Sequence, residues 1–299
     1  MTHKHATACP HHHHDDVDEE SVKYLFLSFL VNILLSVVEF AGGIIAGSVA
    51  LIGDALHNTS DAFSILIAVI AFKIGRKKAT NKYTYGFKRA ELVGGFANLI
   101  LLFAAGVYLA IEGIERLIYP NPIAGWLIIF VSLLALLVDA FTAKISHHHA
   151  HTSANMKMVF LHNLADAFGS IGVIISGVCV VLFDVYFVDG VIALIIAGYM
   201  IFQAFVSFKP IVNVLMNAAP ENLDFDEIVK AIENVEGVDD VHHIHLWCVN
   251  EHDVALECHI QGTNLNIVED VSKMLNDKFH IAHCNIQLEN KNCRHKCDL

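Results

Sequence analysis

Six apolar blocks govern what this chain can fold into: residues 24–47, 49–72, 91–117, 123–145, 159–183 and 185–208. Each reaches the roughly 20 residues that an α-helix needs to cross the hydrocarbon core of a bilayer. In lipid every backbone N–H and C=O must be satisfied within the protein, which leaves helices and closed barrels as the only spanning structures. Blocks of this length predict six helical spans. The last two are parted only by Asp184 and Asp189. Composition agrees: 55% of the 299 residues are hydrophobic and the mean hydropathy is +0.52, above the range of water-soluble domains. The N-terminus is polar and the first apolar block is full length, so no cleavable signal peptide is expected.

Lys and Arg near the span ends orient the spans, because cytoplasmic loops carry the positive excess. Arg76, Lys77, Lys78, Lys82, Lys88 and Arg89 lie between spans two and three, Lys144 and Lys157 flank the loop after span four, and Lys209 follows span six. The opposite side has only Arg116. Both termini are therefore expected in the cytoplasm, of a bacterial inner or plasma membrane. Of the seven Cys, Cys179 sits in span five and the rest fall in cytoplasmic segments. A reducing compartment predicts thiols or metal thiolates rather than disulfides.

Inside two of the spans stands a repeated heptad. It reads His57-Asn58-Thr59-Ser60-Asp61-Ala62-Phe63 and returns as His162-Asn163-Leu164-Ala165-Asp166-Ala167-Phe168, identical at five of seven positions. Residues i and i+4 share one helix face, so each copy presents an imidazole and a carboxylate together. A lone His in an apolar helix is usually a packed, hydrogen-bonded residue. Ionisable groups inside a membrane, however, are costly and seldom persist without a partner or a function, and here the pair occurs twice. Spans two and five run in opposite directions, and at about 1.5 Å per residue both pairs reach the bilayer midplane, where transporter sites are found. Two nitrogens and two oxygens form a tetrahedral set suited to a divalent metal: Zn2+ or Co2+, with Cd2+ admissible, whereas Mn2+ and Mg2+ favour oxygen-rich octahedra. Asp54 shares this face and is left out of the ligand set, read either as a hydrogen-bond acceptor for His57 or as part of an outer vestibule.

The remainder divides into an arm at 1–23, a spanning domain at 24–209, a cytoplasmic domain at 210–290 and a tail at 291–299. The arm carries His11, His12, His13 and His14 before a run of acids, a composition that implies disorder and suits metal capture. The loop after span four carries His147, His148, His149 and His151, read as a second ferrying patch. From residue 210 onward 16 acidic residues face 6 basic ones, which suits cations and argues against nucleic acid. There the pattern becomes helix 224–234, strands 239–249 and 254–261, helix 266–279 and strand 282–289. The order αββαβ predicts a small α+β, ferredoxin-like sheet with its helices on one face. Strand alternation would put His243 and His245 on one face and His242 on the other.

The run from Gly47 to Asp61 resembles the second span of cation diffusion facilitator transporters. So do Tyr85-Gly86-Phe87-Lys88-Arg89-Ala90-Glu91, the second His162/Asp166 pair, Val241-His242-His243-Ile244-His245-Leu246-Trp247 and Ile286-Gln287-Leu288-Glu289. The resemblance implies a homodimeric metal/proton antiporter, not an enzyme, with a metallochaperone-like cytoplasmic domain. It implies a transport site at His57, Asp61, His162 and Asp166, in the two-His, two-Asp form associated with zinc. It maps cytoplasmic ligands onto His242, His259, His283 and Glu289, with Cys293 and Cys297 as a tail pair spaced CxxxC where the family's usual spacing is CxxC. A loop metal site of some members is expected to be absent, because Tyr83 and Phe87 stand at its positions. Without a glycine-rich phosphate loop, transport is expected to be secondary, driven by protons rather than nucleotide. Carriers preferring Cd2+ and Co2+, or Mn2+ and Fe2+, and a membrane-bound metal sensor are the rival readings.

Overall fold

The computed structural model describes residues 19–75, 77–150, 154–250 and 253–289, without the side chains at 19–28, 72, 143, 145–150 and 154–162. The histidines of the arm, His151, Cys293 and Cys297 lie outside the described residues, as do the side chains of His147, His148, His149 and His162. The chain forms two compact units: Val17–Lys73 with Gly94–Ser207, and Ile74–Val93 with Phe208–Leu299.

Six helices account for the apolar blocks: α1 (Glu19–Ala46), α2 (Val49–Gly75), α3 (Ala90–Ile118), α4 (Gly125–Ala150), α5 (Ala154–Phe183) and α6 (Phe187–Leu215). All are long and apolar enough to cross a membrane. Their outward faces are apolar: Leu34, Phe130, Phe205 and Ile45 are exposed, and Trp126 and Tyr119 sit exposed at helix ends, where aromatic rings mark a membrane interface. The polar residues go inside. Glu39, Asp54, His57, Asn58, Asp139 and Asp189 are all buried, the inverse of a soluble bundle.

Small residues allow the helices to meet closely. A Cβ on Gly190 of α6 would stand 2.9 Å from the carbonyl oxygen of Gly113 on α3, and one on Gly125 of α4 2.8 Å from that of Gly177 on α5. Such contacts replace the hydrophobic drive that lipid does not supply. Gly47, at φ +71°, makes the sharp turn between α1 and α2. Beyond it, Ser48 Oγ accepts from the Leu51 N–H and donates to Asp189 Oδ1 (2.5 Å), while Asp189 Oδ2 accepts from the Val49 N–H (2.7 Å). A carboxylate of α6 thus caps α2, satisfying its free N–H groups and its dipole.

Two helices run past the expected spans. Helix α4 continues to Ala150, so His147, His148 and His149 stand on a helix rather than in a loop. Helix α6 runs through Pro210 to Leu215; the proline lacks one backbone donor, but apolar Val214 and Leu215 pack into the core of the second unit.

That unit has the expected order: α7 (Phe225–Glu233), β1 (Asp240–Cys248), β2 (Val254–Gln261), α8 (Asn266–Phe279) and β3 (His283–Glu289). Strand β2 is central, antiparallel to β1 and parallel to β3. One sheet face packs Val241, Leu246, Leu256 and Ile260 against Ile228 and Ile232 of α7 and Val271 and Leu275 of α8. Each fully buried aliphatic side chain here contributes about 1.5–3 kcal/mol. The loop before α3 belongs to this unit: Lys88 Nζ meets Asp253 Oδ2 at 2.7 Å, and Arg89 donates to Asn217 Oδ1 and the Val249 carbonyl.

One expectation is corrected here. His242 pairs with His259 but His245 with Glu257, three residues against two, so β1 carries a bulge. His243 occupies it at φ +51°. The extra residue shifts the alternation, and His242 and His245 share the open face instead of lying on opposite faces. Among the described residues Cys179, Cys258 and Cys284 are free.

Candidate metal sites

The heptads meet. His57 Nε2 lies 3.5 Å from Asp61 Oδ2, one turn along α2, and 3.3 Å from Asp166 Oδ1 on α5. A ligand atom from each of the three falls within 4.8 Å of the others, close enough for all to reach one ion. His162 is one turn before Asp166 on α5. The site is sealed but reachable: His57 is buried, whereas the Asp61 side chain keeps 17% of its exposure. Tyr199 of α6 sets its ring edge-on to His57, centroids 5.4 Å apart.

Polar neighbours surround this site. Asn58 Nδ2 donates to Glu39 Oε2 (2.9 Å). The Ser170 hydroxyl lies 3.3 Å from Asp54 Oδ2 and 3.2 Å from Asp139 Oδ2, joining two carboxylates. Gly169 leaves the room, since a Cβ there would stand 3.2 Å from Asp54 Oδ1. Glu39 and Asp54 are visible in the sequence as charges within apolar blocks; their links to Asn58 and Asp139 depend on how four helices pack.

A second cluster forms on the open face of the sheet. His242 on β1 and His259 on β2 are register partners, and Glu289 ends β3 opposite Gln261. His242 Nε2 lies 3.4 Å from Glu289 Oε2, and His259 Nδ1 3.2 Å from Glu289 Oε1. Yet His242 Nε2, His259 Nδ1 and Glu289 Oε2 are sealed from solvent and take part in no hydrogen bond. One ligand atom from each of His242, His259 and Glu289 lies within 4.8 Å of the others, an arrangement that fits a divalent cation. The flanks are prepared as well. Asp240 Oδ2 sits 2.9 Å from His242 Nδ1, which holds the proton there and leaves Nε2 as the lone pair. Gln287 Nε2 donates to Glu289 Oε1 (2.7 Å).

His283, expected with this set, is not brought to it. It opens β3 opposite Ala255, six residues from Glu289, and its ring meets Tyr85 with Nε2 3.3 Å from the phenol oxygen. A strand rises about 3.3 Å per residue, so one strand cannot deliver both ends to one ion. Cys258 and Cys284 do not supply thiolates: burial pushes the Cys258 thiol up to about 12 and raises Cys284 as well.

With both sites in view, the comparison with known proteins is decisive. The cation efflux transmembrane domain matches residues 25–216, and the cation efflux protein cytoplasmic domain matches 220–291. This chain belongs to the cation efflux family. A cation efflux protein is a transporter, not an enzyme, and the six spans make this one an integral, multi-pass membrane protein. It is similar to the "Cadmium, cobalt and zinc/H(+)-K(+) antiporter" of Bacillus velezensis, at 31% identity over 93% of this chain and 91% of the relative. The protein of that name in Bacillus subtilis is 30% identical over 95% and 93%. The "Zinc transporter ZitB" of Escherichia coli K12 is 28% identical over 98% and 94%.

Proposed function

We propose that this chain exports divalent metal, zinc foremost, from the cytoplasm in exchange for protons. The observation that carries this reading is His57 Nε2 held between Asp61 Oδ2 and Asp166 Oδ1 inside the spanning bundle, with His162 one turn from Asp166 to complete two nitrogens and two oxygens. Relatives over nearly the whole chain are named for zinc, cadmium and cobalt, all ions this ligand set would take. The working unit is a homodimer in a bacterial plasma membrane, both termini cytoplasmic, as the Lys and Arg of the loops favour.

The ligand chemistry itself supplies the coupling. Metal binds neutral imidazole and ionised carboxylate, so loading releases protons. Imidazole titrates near ~6.5, and protons arriving from a more acidic exterior displace the ion. His242, His259 and Glu289 hold a second zinc with a regulatory role, the Cys293/Cys297 tail adds thiolates, and the histidines of the arm and of the α4–α5 connection raise the local metal concentration.

Liposomes containing only this protein test the reading. With an acidic lumen, zinc supplied outside should accumulate inside against its own gradient, through molecules whose cytoplasmic face is outward. Zinc bound without any uptake would make the protein a sensor.

A further inference from the structure

Glu39 stands in the last third of α1, fully buried, and belongs to neither proposed ligand set. Its Oε2 accepts a hydrogen bond from Asn58, while its Oε1 is sealed from solvent with no hydrogen-bond partner. The charged groups that face it electrostatically are Asp54 on α2, Asp139 on α4 and Asp166 on α5, all carboxylates. Among the described residues none of the groups acting on it is a cation. A carboxylate placed there would be uncompensated in an apolar interior and repelled by three others, an arrangement that favours the neutral acid. The acid fits the geometry: the oxygen facing Asn58 accepts, and the other carries the proton.

Metal loading reverses that balance. Asn58 is adjacent in sequence to His57, and Asp166 is both a proposed ligand and one of the carboxylates acting on Glu39. A divalent cation between His57, Asp61 and Asp166 neutralises Asp166 and places positive charge one residue from Asn58. Building on the transport reading above, we infer that Glu39 is a proton-carrying site separate from the metal ligands. It keeps its proton while the metal site is unloaded and releases it when the ion binds. The step balances simply: the Oε1–H bond breaks, its electron pair stays on the carboxylate, and the proton passes to water. Among the described residues the hydrogen bond of Glu39 is to Asn58, which is not one of the proposed ligands. Exchange would therefore draw one proton per cycle from outside the metal shell, in addition to those displaced from the ligands themselves.

Titration calorimetry on the full-length protein tests this, with zinc chloride added in two buffers of different protonation enthalpy to count the protons released. Glu39→Gln keeps the shape and the acceptor for Asn58. It should bind zinc and release about one proton fewer per ion than wild type. An equal release from both would overturn the inference while leaving the transport site intact, whereas failure of wild type to bind zinc would overturn the transport reading. Infrared difference spectra of wild type labelled with 13C-glutamate give a measurement free of variants. A labelled carboxylic-acid C=O band that disappears on adding zinc supports the inference, and its absence from the zinc-free protein overturns it.

Discussion

At the residue scale, His57 meets Asp61 on its own helix, Asp166 on α5 and Tyr199 on α6. His57 and Asp61 are legible because i and i+4 share a face. Asp166 joins them only when α5 packs against α2, and Tyr199 at the ring edge of His57 has no sequence signal at all. His57→Asp should shift preference toward Cd2+, because a more oxygen-rich set keeps less of the nitrogen coordination that Zn2+ favours. Competition flux with both ions measures it, and an unchanged ratio would remove His57 from the ligand set. For Cys258 the expected chemistry is the reverse of a metal thiolate. Its folded-state pKa is raised above the ordinary 9.0 to about 12, so its contribution to stability is full below pH 9 and is lost as pH rises toward 12. At neutral pH it stays protonated, and iodoacetamide should label it only after denaturation; labelling of the folded protein would contradict that.

At the element scale, long apolar runs and period-two strands were readable, since both patterns follow from which face is buried. Helices α2 and α8 and strand β2 begin or end where turn residues and charge predict. The doubled polar pair His242-His243 between Val241 and Ile244 breaks the period of two, but that the break is a bulge shows only against the register of β2. A non-glycine residue in the left-handed region costs about 1–2 kcal/mol, and β-branching at Cβ worsens it. His243→Val should therefore lower the melting temperature of the protein, while His243→Gly should leave it unchanged or raise it. Equal effects of the two would mean that the backbone there is not left-handed. On the membrane side, Asp189→Ala strips the cap from α2, worth about 1 kcal/mol. Zinc transport should weaken with it, because α2 carries both His57 and Asp61; full transport at unchanged stability would assign Asp189 no part in holding α2.

At the scale of the whole molecule, the chain separates a ligand set buried among helices from one on an open sheet face, and the two answer to different forces. Residues 210–299 carry 16 acids against 6 bases, and a cation in the proposed site between His242, His259 and Glu289 would relieve part of that repulsion. Free zinc at a hundredfold over the Kd of this site should stabilise by about 2.7 kcal/mol, raising the melting temperature by several degrees; His259→Ala should reduce the shift to what zinc at the transport site supplies. A shift of equal size in wild type and His259→Ala would remove the regulatory site and leave the transport site standing. His283 was drawn into that set by family resemblance, and strand register removes it. The central claim concerns His57, Asp61, His162 and Asp166 acting as one site. The most direct measurement is zinc flux into acid-loaded liposomes by Asp61→Ala and Asp166→Ala, each checked for native folding. Loss of a residue that only supports a metal ligand costs about 10–100-fold, and with a ligand itself removed flux should vanish in both. Flux near the wild-type rate in either would show that the carboxylates of the two heptads do not hold the same ion.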